Sequence, residues 1–308
     1  MDLSLFLDPA YLGQNLVDGL SRGAVYSVFA LGFTLIFGIL DIVNLAHAAT
    51  YMWCAFFGWI VLSVFGLPLP VALAASMAAG ALLAMGLELV AFRPLRREGA
   101  EPLAPMISSL GASLILVSIA EAVFGSATRR FPGSVLDPRP LVFGGPGGIR
   151  VSWAQILILT VSLALMAGLG WFIRRTRMGM AIRAIAANRK ASRLLGINVN
   201  AVVMTTFALA GALAGAAGIL VGLMTNNIFP GMGAQIELRG LAVVILGGMG
   251  NIEGAVLGGL ILGVVETFTI AYLPSGADLK DAVAFLILFL ILWVKPNGLL
   301  GKSAGTRA

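Results

Sequence analysis

Apolar residues in this chain gather into blocks of about 20, the length at which a helix rising about 1.5 Å per residue crosses about 30 Å of hydrocarbon. Nine such stretches separate, at 13–38, 45–66, 69–92, 103–124, 153–173, 199–224, 236–249, 252–273 and 279–294. One block alone would suit a buried core helix, but a series of them exceeds what a water-soluble interior of this size can hide. The pattern predicts an all-α fold: a polytopic transmembrane bundle of eight or nine helices forming a single domain over 1–308. The seventh stretch is short and runs into the Gly-rich GGMGNIEG (247–254), which leaves a half-span or re-entrant element open and makes eight spans the alternative.

Composition agrees with lipid as the solvent. Hydrophobic residues make up 59% of the 308 positions and charged residues 11%, with a mean hydropathy of +0.99. The net charge of +6 does not point to nucleic acid, because the basic residues fall between apolar blocks and not along one amphipathic face. They read instead as topology signals. The connection 174–193 holds seven Lys or Arg and no acid, 93–97 adds three and the stretch from Lys295 adds three more, together 13 of the 20 basic residues. The positive-inside bias therefore predicts a cytoplasmic C-terminus, an external N-terminus and an external 125–152 connection. That connection carries Arg129, Arg130, Arg139 and Arg150 against the bias, and its Pro and Gly content predicts turns rather than a helix. The acidic start, with no Lys or Arg before Arg22, predicts no cleaved signal peptide.

Candidate chemistry is sparse. One cysteine, Cys54, and one histidine, His47, exclude an intrachain disulfide and a Cys/His metal cage, so no cofactor, metal or catalytic residue is expected. G-L-L-G-K-S (298–303) lacks the four-residue spacing between glycines of a phosphate-binding loop, which leaves ATP to a partner. Ionisable residues in or near the spans are Asp41, His47, Glu88, Glu121 and Glu266. Asp41, Asn44 and His47 recur at three-residue spacing, so on a helix they would share one side, lining a pathway or fixing the junction of the first two spans. The alternative is a set of interfacial residues at a cytoplasmic turn. Glu88 is expected to snorkel or pair with a nearby arginine, Glu121 to sit at the interface, and Glu266 to make an interior polar contact on the pathway. Glycines four apart (Gly211/Gly215, Gly218/Gly222, Gly254/Gly258, Gly259/Gly263) predict close helix packing.

The segment RMGMAIRAIAANRKASRLLGINVN (177–200) combines an Ala-rich helical pattern with a stop at Gly196 before the chain re-enters the membrane. This predicts a cytoplasmic segment over 174–198, a short helix, Gly stop and second helix suited to docking in a partner's groove. A positive-inside anchor without a partner is the plainer alternative.

Three collinear blocks, ALGFTLIFGILDIVNLAHAATYM (30–52), RAIAANRKASRLLGINVNAVVMTTFALAGALAGAAGIL (183–220) and GLAVVILGGMGNIEGAVLGGLILGVVE (240–266), with the closing PNGLLG (296–301), carry a resemblance over nearly the whole chain. The chain resembles the membrane-spanning permease subunits of bacterial ABC importers for branched-chain amino acids. The resemblance implies a second permease subunit, identical or sister, two cytosolic ATP-binding subunits, an extracytoplasmic solute-binding protein and a cytoplasmic-membrane location. It assigns ATPase docking to Ala186, Ala187, Ala191, Leu195, Gly196 and Ile197. Two features depart from the usual pattern: Ala48 and Ala49 where a glycine and an acid often follow the Ala-His pair, and Glu253 where a proline is frequent. Relatives of the family also carry urea, short amides or aromatic acids, which remain alternative cargoes. An ion-coupled secondary transporter is the alternative function, although no internal repeat with matched midplane acids is visible.

Overall fold

The computed structural model describes residues 8–101, 103–133, 140–143 and 148–301. Its elements are α1 (Pro9–Leu40), α2 (Ala46–Ser63) and α3 (Leu69–Leu87), the last running through a π-helical turn (Glu88–Phe92) into α4 (Arg93–Glu98). Then come α5 (Leu103–Phe124), strands β1 (Leu141–Phe143) and β2 (Ile149–Val151), and α6 (Trp153–Arg175). Short α7 (Arg177–Ala187) and α8 (Arg189–Leu194) precede α9 (Val199–Thr225), α10 (Met232–Gly247), α11 (Ile252–Tyr272) and α12 (Gly276–Val294). Each of the nine apolar stretches corresponds to one of the longer helices. Six of these, beginning at Pro9, Leu69, Leu103, Trp153, Val199 and Ile252, are long and apolar enough to cross a membrane. The remaining three, α2, α10 and α12, are shorter or more polar, and α10 at 16 residues is the shortest of the nine.

The bundle is centred on α1 and α9, whose most apolar windows are 83% and 72% buried, whereas that of α5 is 17% buried and α5 lies at the periphery. Several helix pairs meet backbone to backbone. A Cβ on Gly23 would stand 2.7 Å from the carbonyl oxygen of Gly259, and one on Gly259 would stand 2.7 Å from the backbone nitrogen of Ser27, so α1 and α11 pack where neither carries a side chain. Ser27 Oγ adds a hydrogen bond to Val256 O across this contact at 2.9 Å. A second pair is α3 and α9, where a Cβ on Gly215 would lie 2.8 Å from Met77 Cα. Gly218 makes the same approach to α2, with Tyr51 O at 2.6 Å from its Cβ position.

The chain between α1 and α2 differs from the expected arrangement of Asp41, Asn44 and His47 along one helix side. α1 stops at Leu40, and Asp41 closes it in the left-handed region (φ 54°), where its N–H donates to Phe37 O. The chain then doubles back, so that the first turn of α2 sits inside the bundle. A Cβ on Gly32 would lie 2.7 Å from His47 Cε1, which places His47 about 12 Å in from the end of α1 at 1.5 Å per residue. The amide donors of this buried helix start are satisfied locally: Ala46 N donates to Asn44 Oδ1 at 3.1 Å and Leu45 N to Ser109 Oγ at 3.1 Å. The three residues thus form a junction.

At the far end of α10 the PNGLLG segment explains itself as a cap. Leu299 N and Leu300 N donate to Leu246 O and Gly247 O at 2.8 and 3.1 Å, and Asn251 Nδ2 donates to Leu300 O at 2.6 Å. Gly248 and Gly298 both have positive φ and face each other where a Cβ on either would collide. Lys302 and Ser303 of the G-L-L-G-K-S motif, and Lys302 and Arg307 of the basic C-terminal stretch, lie outside the described residues.

Within 125–152 the described parts hold an antiparallel β1–β2 pair, Leu141 opposite Val151. β2 leads into α6, and α6 leads into α7. At 23 residues, α6 is about 34 Å long, so the hairpin and the α7–α8 segment occupy opposite faces of the bundle.

Replacing Gly215 by Val is expected to cost about 1–3 kcal/mol by overpacking the α3–α9 contact, read as a lower melting temperature in detergent. Gly111→Ala, on α5 with no atom within 4 Å of its Cβ position, is expected to hold or raise that temperature.

Candidate functional site: a protruding tip and a polar interior

The α7–α8 segment is capped at its joints. Ser152 and Gln155 form a reciprocal capping box that starts α6. At its other end, Thr176 Oγ1 accepts from Gly179 N at 3.0 Å to start α7. Asn188 Oδ1 accepts from Ala191 N at 2.9 Å to start α8, and Asn198 Oδ1 accepts from Ala201 N at 3.1 Å to start α9. Ile182, Ile185 and Ser192 are buried beneath the segment, which seats it on the bundle. Of the residues assigned to docking, Ala186, Ala187, Ala191, Leu195 and Gly196 are exposed and Ile197 is half-buried. Gly196 has φ +81°, the left-handed conformation that a glycine adopts without strain. Leu194 and Leu195 are 90% and 81% exposed at the apex, an apolar pair that no described residue covers.

Arg189 anchors the tip to α1 by donating Nη2 to Ile39 O at 3.1 Å, a cation placed on the carbonyl end of a helix. Burial, and then the neighbouring Arg96 and Arg193, push its guanidinium below the usual arginine range. Glu88 pairs with Arg96 at 2.6 Å, and Arg96 also donates to Asn200 Oδ1 at 3.0 Å, tying α4 to the start of α9. Glu253 pairs with Arg174, joining α11 to the end of α6.

Deeper in the bundle Glu266 is fully buried. It accepts a hydrogen bond from Tyr26 Oη at 2.7 Å, and Arg239 Nε lies 2.9 Å from its Oε1, close enough to pair as charges without hydrogen-bond alignment. Arg239 also donates to Asp281 at 3.0 Å and stacks 5.8 Å from the Tyr26 ring centre. The network links α1, α10, α11 and α12. His47 is buried between Phe29 and Phe33, with Nε2 3.3 Å from Phe29 O, and Asn44 serves the junction described above. Asp41 and Glu121 are exposed. The expected pathway set therefore splits into Asp41, Asn44 and His47 at the α1–α2 junction and Glu266 in the interior network.

Near the hairpin a cavity of about 730 Å³ opens among α1, β2, α6, α9 and α11. Asp18, Arg22, Arg150 and Gln155 line it. Asp18, Arg22 and Arg239 stand outside the expectations drawn from the sequence, although a charge within an apolar stretch is the signal that finds them.

Residues 15–292 match the family described as the permease component of branched-chain amino acid transport systems. The chain belongs to this family. It is 39% identical over 304 residues to the high-affinity branched-chain amino acid transport system permease protein BraD of Pseudomonas aeruginosa, spanning 94% of this chain and 95% of that one. LivH proteins of Salmonella typhimurium and Escherichia coli K12, carrying the same description, are 33% and 32% identical over 95% of this chain and 96% of theirs. The chain is accordingly a multi-pass inner-membrane permease subunit of an ABC importer, a transport component and not an enzyme.

Removing Arg239 leaves the Glu266 charge buried alone, so Arg239→Met is expected to cost about 3–5 kcal/mol, seen as early melting in detergent. Adding Glu266→Gln should restore most of that loss; equal melting of the single and double variants would remove the pair from the account.

Proposed function

We propose that this permease carries branched-chain amino acids inward, with the α7–α8 tip as the element that receives the stroke of a partner ATPase. The observation that carries this reading is the tip itself: two short capped helices, seated on buried Ile182 and Ile185, that present uncovered Leu194 and Leu195. An apolar apex ringed by arginines suits a groove in a soluble partner. Docking falls to Ala186, Ala187, Ala191, Leu195, Gly196 and Ile197, and 174–198 acts as the coupling segment of the 1–308 domain.

The basic residues around the tip favour the cytoplasm for that face, which sets the C-terminus inside and the N-terminus and hairpin outside. The assembly holds a second permease subunit, two ATP-binding subunits below and a solute-binding protein above. ATP drives accumulation because ATP-bound and ADP-bound partners favour different access states of the bundle. Cargo follows from the descriptions of BraD and LivH. Glu266 holds the interior polar network on the route, and Asp41, Asn44 and His47 hold the α1–α2 junction beside it.

Gentle detergent extraction with a C-terminal tag and mass spectrometry is expected to recover two ATPase subunits and a second permease. Leu194→Asp with Leu195→Asp is expected to cost at least about 2 kcal/mol of docking and to abolish leucine uptake into proteoliposomes while membrane insertion persists. Uptake at the wild-type rate in that variant would remove the tip from the coupling path.

A further inference from the structure

The cavity beside the hairpin holds two opposite charges that are kept apart. Asp18 accepts from Gln14 Nε2 at 3.0 Å and from Gln155 Nε2 at 2.5 Å, so a neighbouring helix fixes its carboxylate. Arg22 lies one turn deeper on the same face of α1. Residues four apart on a helix have Cβ atoms about 5–6 Å apart and pair readily, yet Arg22 makes no ion pair or hydrogen bond with any described residue. An unpaired guanidinium within a membrane helix is costly and marks an aqueous path or a ligand. Apolar side chains complete the chamber, with Ile158, Leu223 and Ile270 among its walls.

We propose that Asp18 and Arg22 form a station for the zwitterionic backbone of an aliphatic α-amino acid, its ammonium on Asp18 and its carboxylate on Arg22. The carboxylate is held by the planar fork of the guanidinium, a charge-assisted contact that an amide or amine lacks. The aliphatic side chain lies against Ile158, Leu223 and Ile270. Gln14 and Gln155 are positioning residues that turn the Asp18 carboxylate away from Arg22. Arg150, exposed on β2 at the rim, adds positive charge at the mouth and draws the carboxylate end inward first. The station rests on the amino-acid reading of the cargo given above.

The test uses the complete importer in proteoliposomes, with this subunit carrying Cys54→Ala and the cavity-lining Met224→Cys as a reporter thiol. L-leucine is expected to slow maleimide labelling of the reporter, and leucinamide, which lacks the carboxylate, to leave it unchanged. Arg22→Met and Asp18→Asn are each expected to raise the leucine concentration for half-protection by at least about tenfold, the scale of one lost charge-assisted contact. Protection that survives both variants, equals that by leucinamide, or is absent from the unsubstituted cavity overturns the station. ATP-driven uptake of leucine in the same vesicles separates the two readings. Leucine uptake without protection removes the station alone, whereas uptake of urea or a short amide in place of leucine removes the cargo reading and the station with it.

Discussion

Everything in this bundle depends on helices that meet at their backbones. Lipid tails are as apolar as leucine, so burying a leucine between two helices gains little over leaving it in the bilayer. What remains is dispersion between closely fitted surfaces and the few hydrogen bonds that can form across them. α1 meets α11, and α9 meets α3, where glycines leave no side chain on either side, and Ser27 uses the short distance to reach the carbonyl of Val256. The central position of α1 and α9 follows from these contacts, because only a helix with small residues on several faces can be surrounded so closely.

The same absence of water makes each interrupted helix a local problem in hydrogen bonding. α2 begins inside the bundle, and its first donors are taken by Asn44 and by Ser109 from α5. α10 ends against α11, and its last carbonyls are met by the returning PNGLLG segment. Glu266, Tyr26 and Arg239 answer one another in the interior. These polar groups sit where a helix stops, starts or faces another charge.

The helices were legible because apolar runs of span length carry their own boundaries, and the break between α7–α8 and α9 because its caps and glycine are local in sequence. Glu88 with Arg96, and Glu266 as an interior contact, also followed from the cost of a lone charge in lipid. The spacing of Asp41, Asn44 and His47 misled, since a three-residue repeat implies a shared face only while the helix continues, and Asp41 ends it in a left-handed turn. The Asp18 cluster was hidden for a different reason. Asp18 lies inside an apolar stretch, but its partner Gln155 is 137 residues away, so nothing local shows what the carboxylate meets until α6 is laid beside it.

α1 is one unbroken helix of 32 residues, about 48 Å from end to end. Arg189 of the tip holds the Ile39 carbonyl at one end, while Asp18 and Arg22 face the cavity toward the other. Its glycine-studded middle is clasped by α11. A rod held at its middle is a lever: a push on one end is carried to the other with reversed sense, and needs no relay of side chains between them. On the proposed reading, thermodynamic reciprocity runs both ways along it, so that whatever occupies the chamber at one end is weighed by whatever binds the tip at the other.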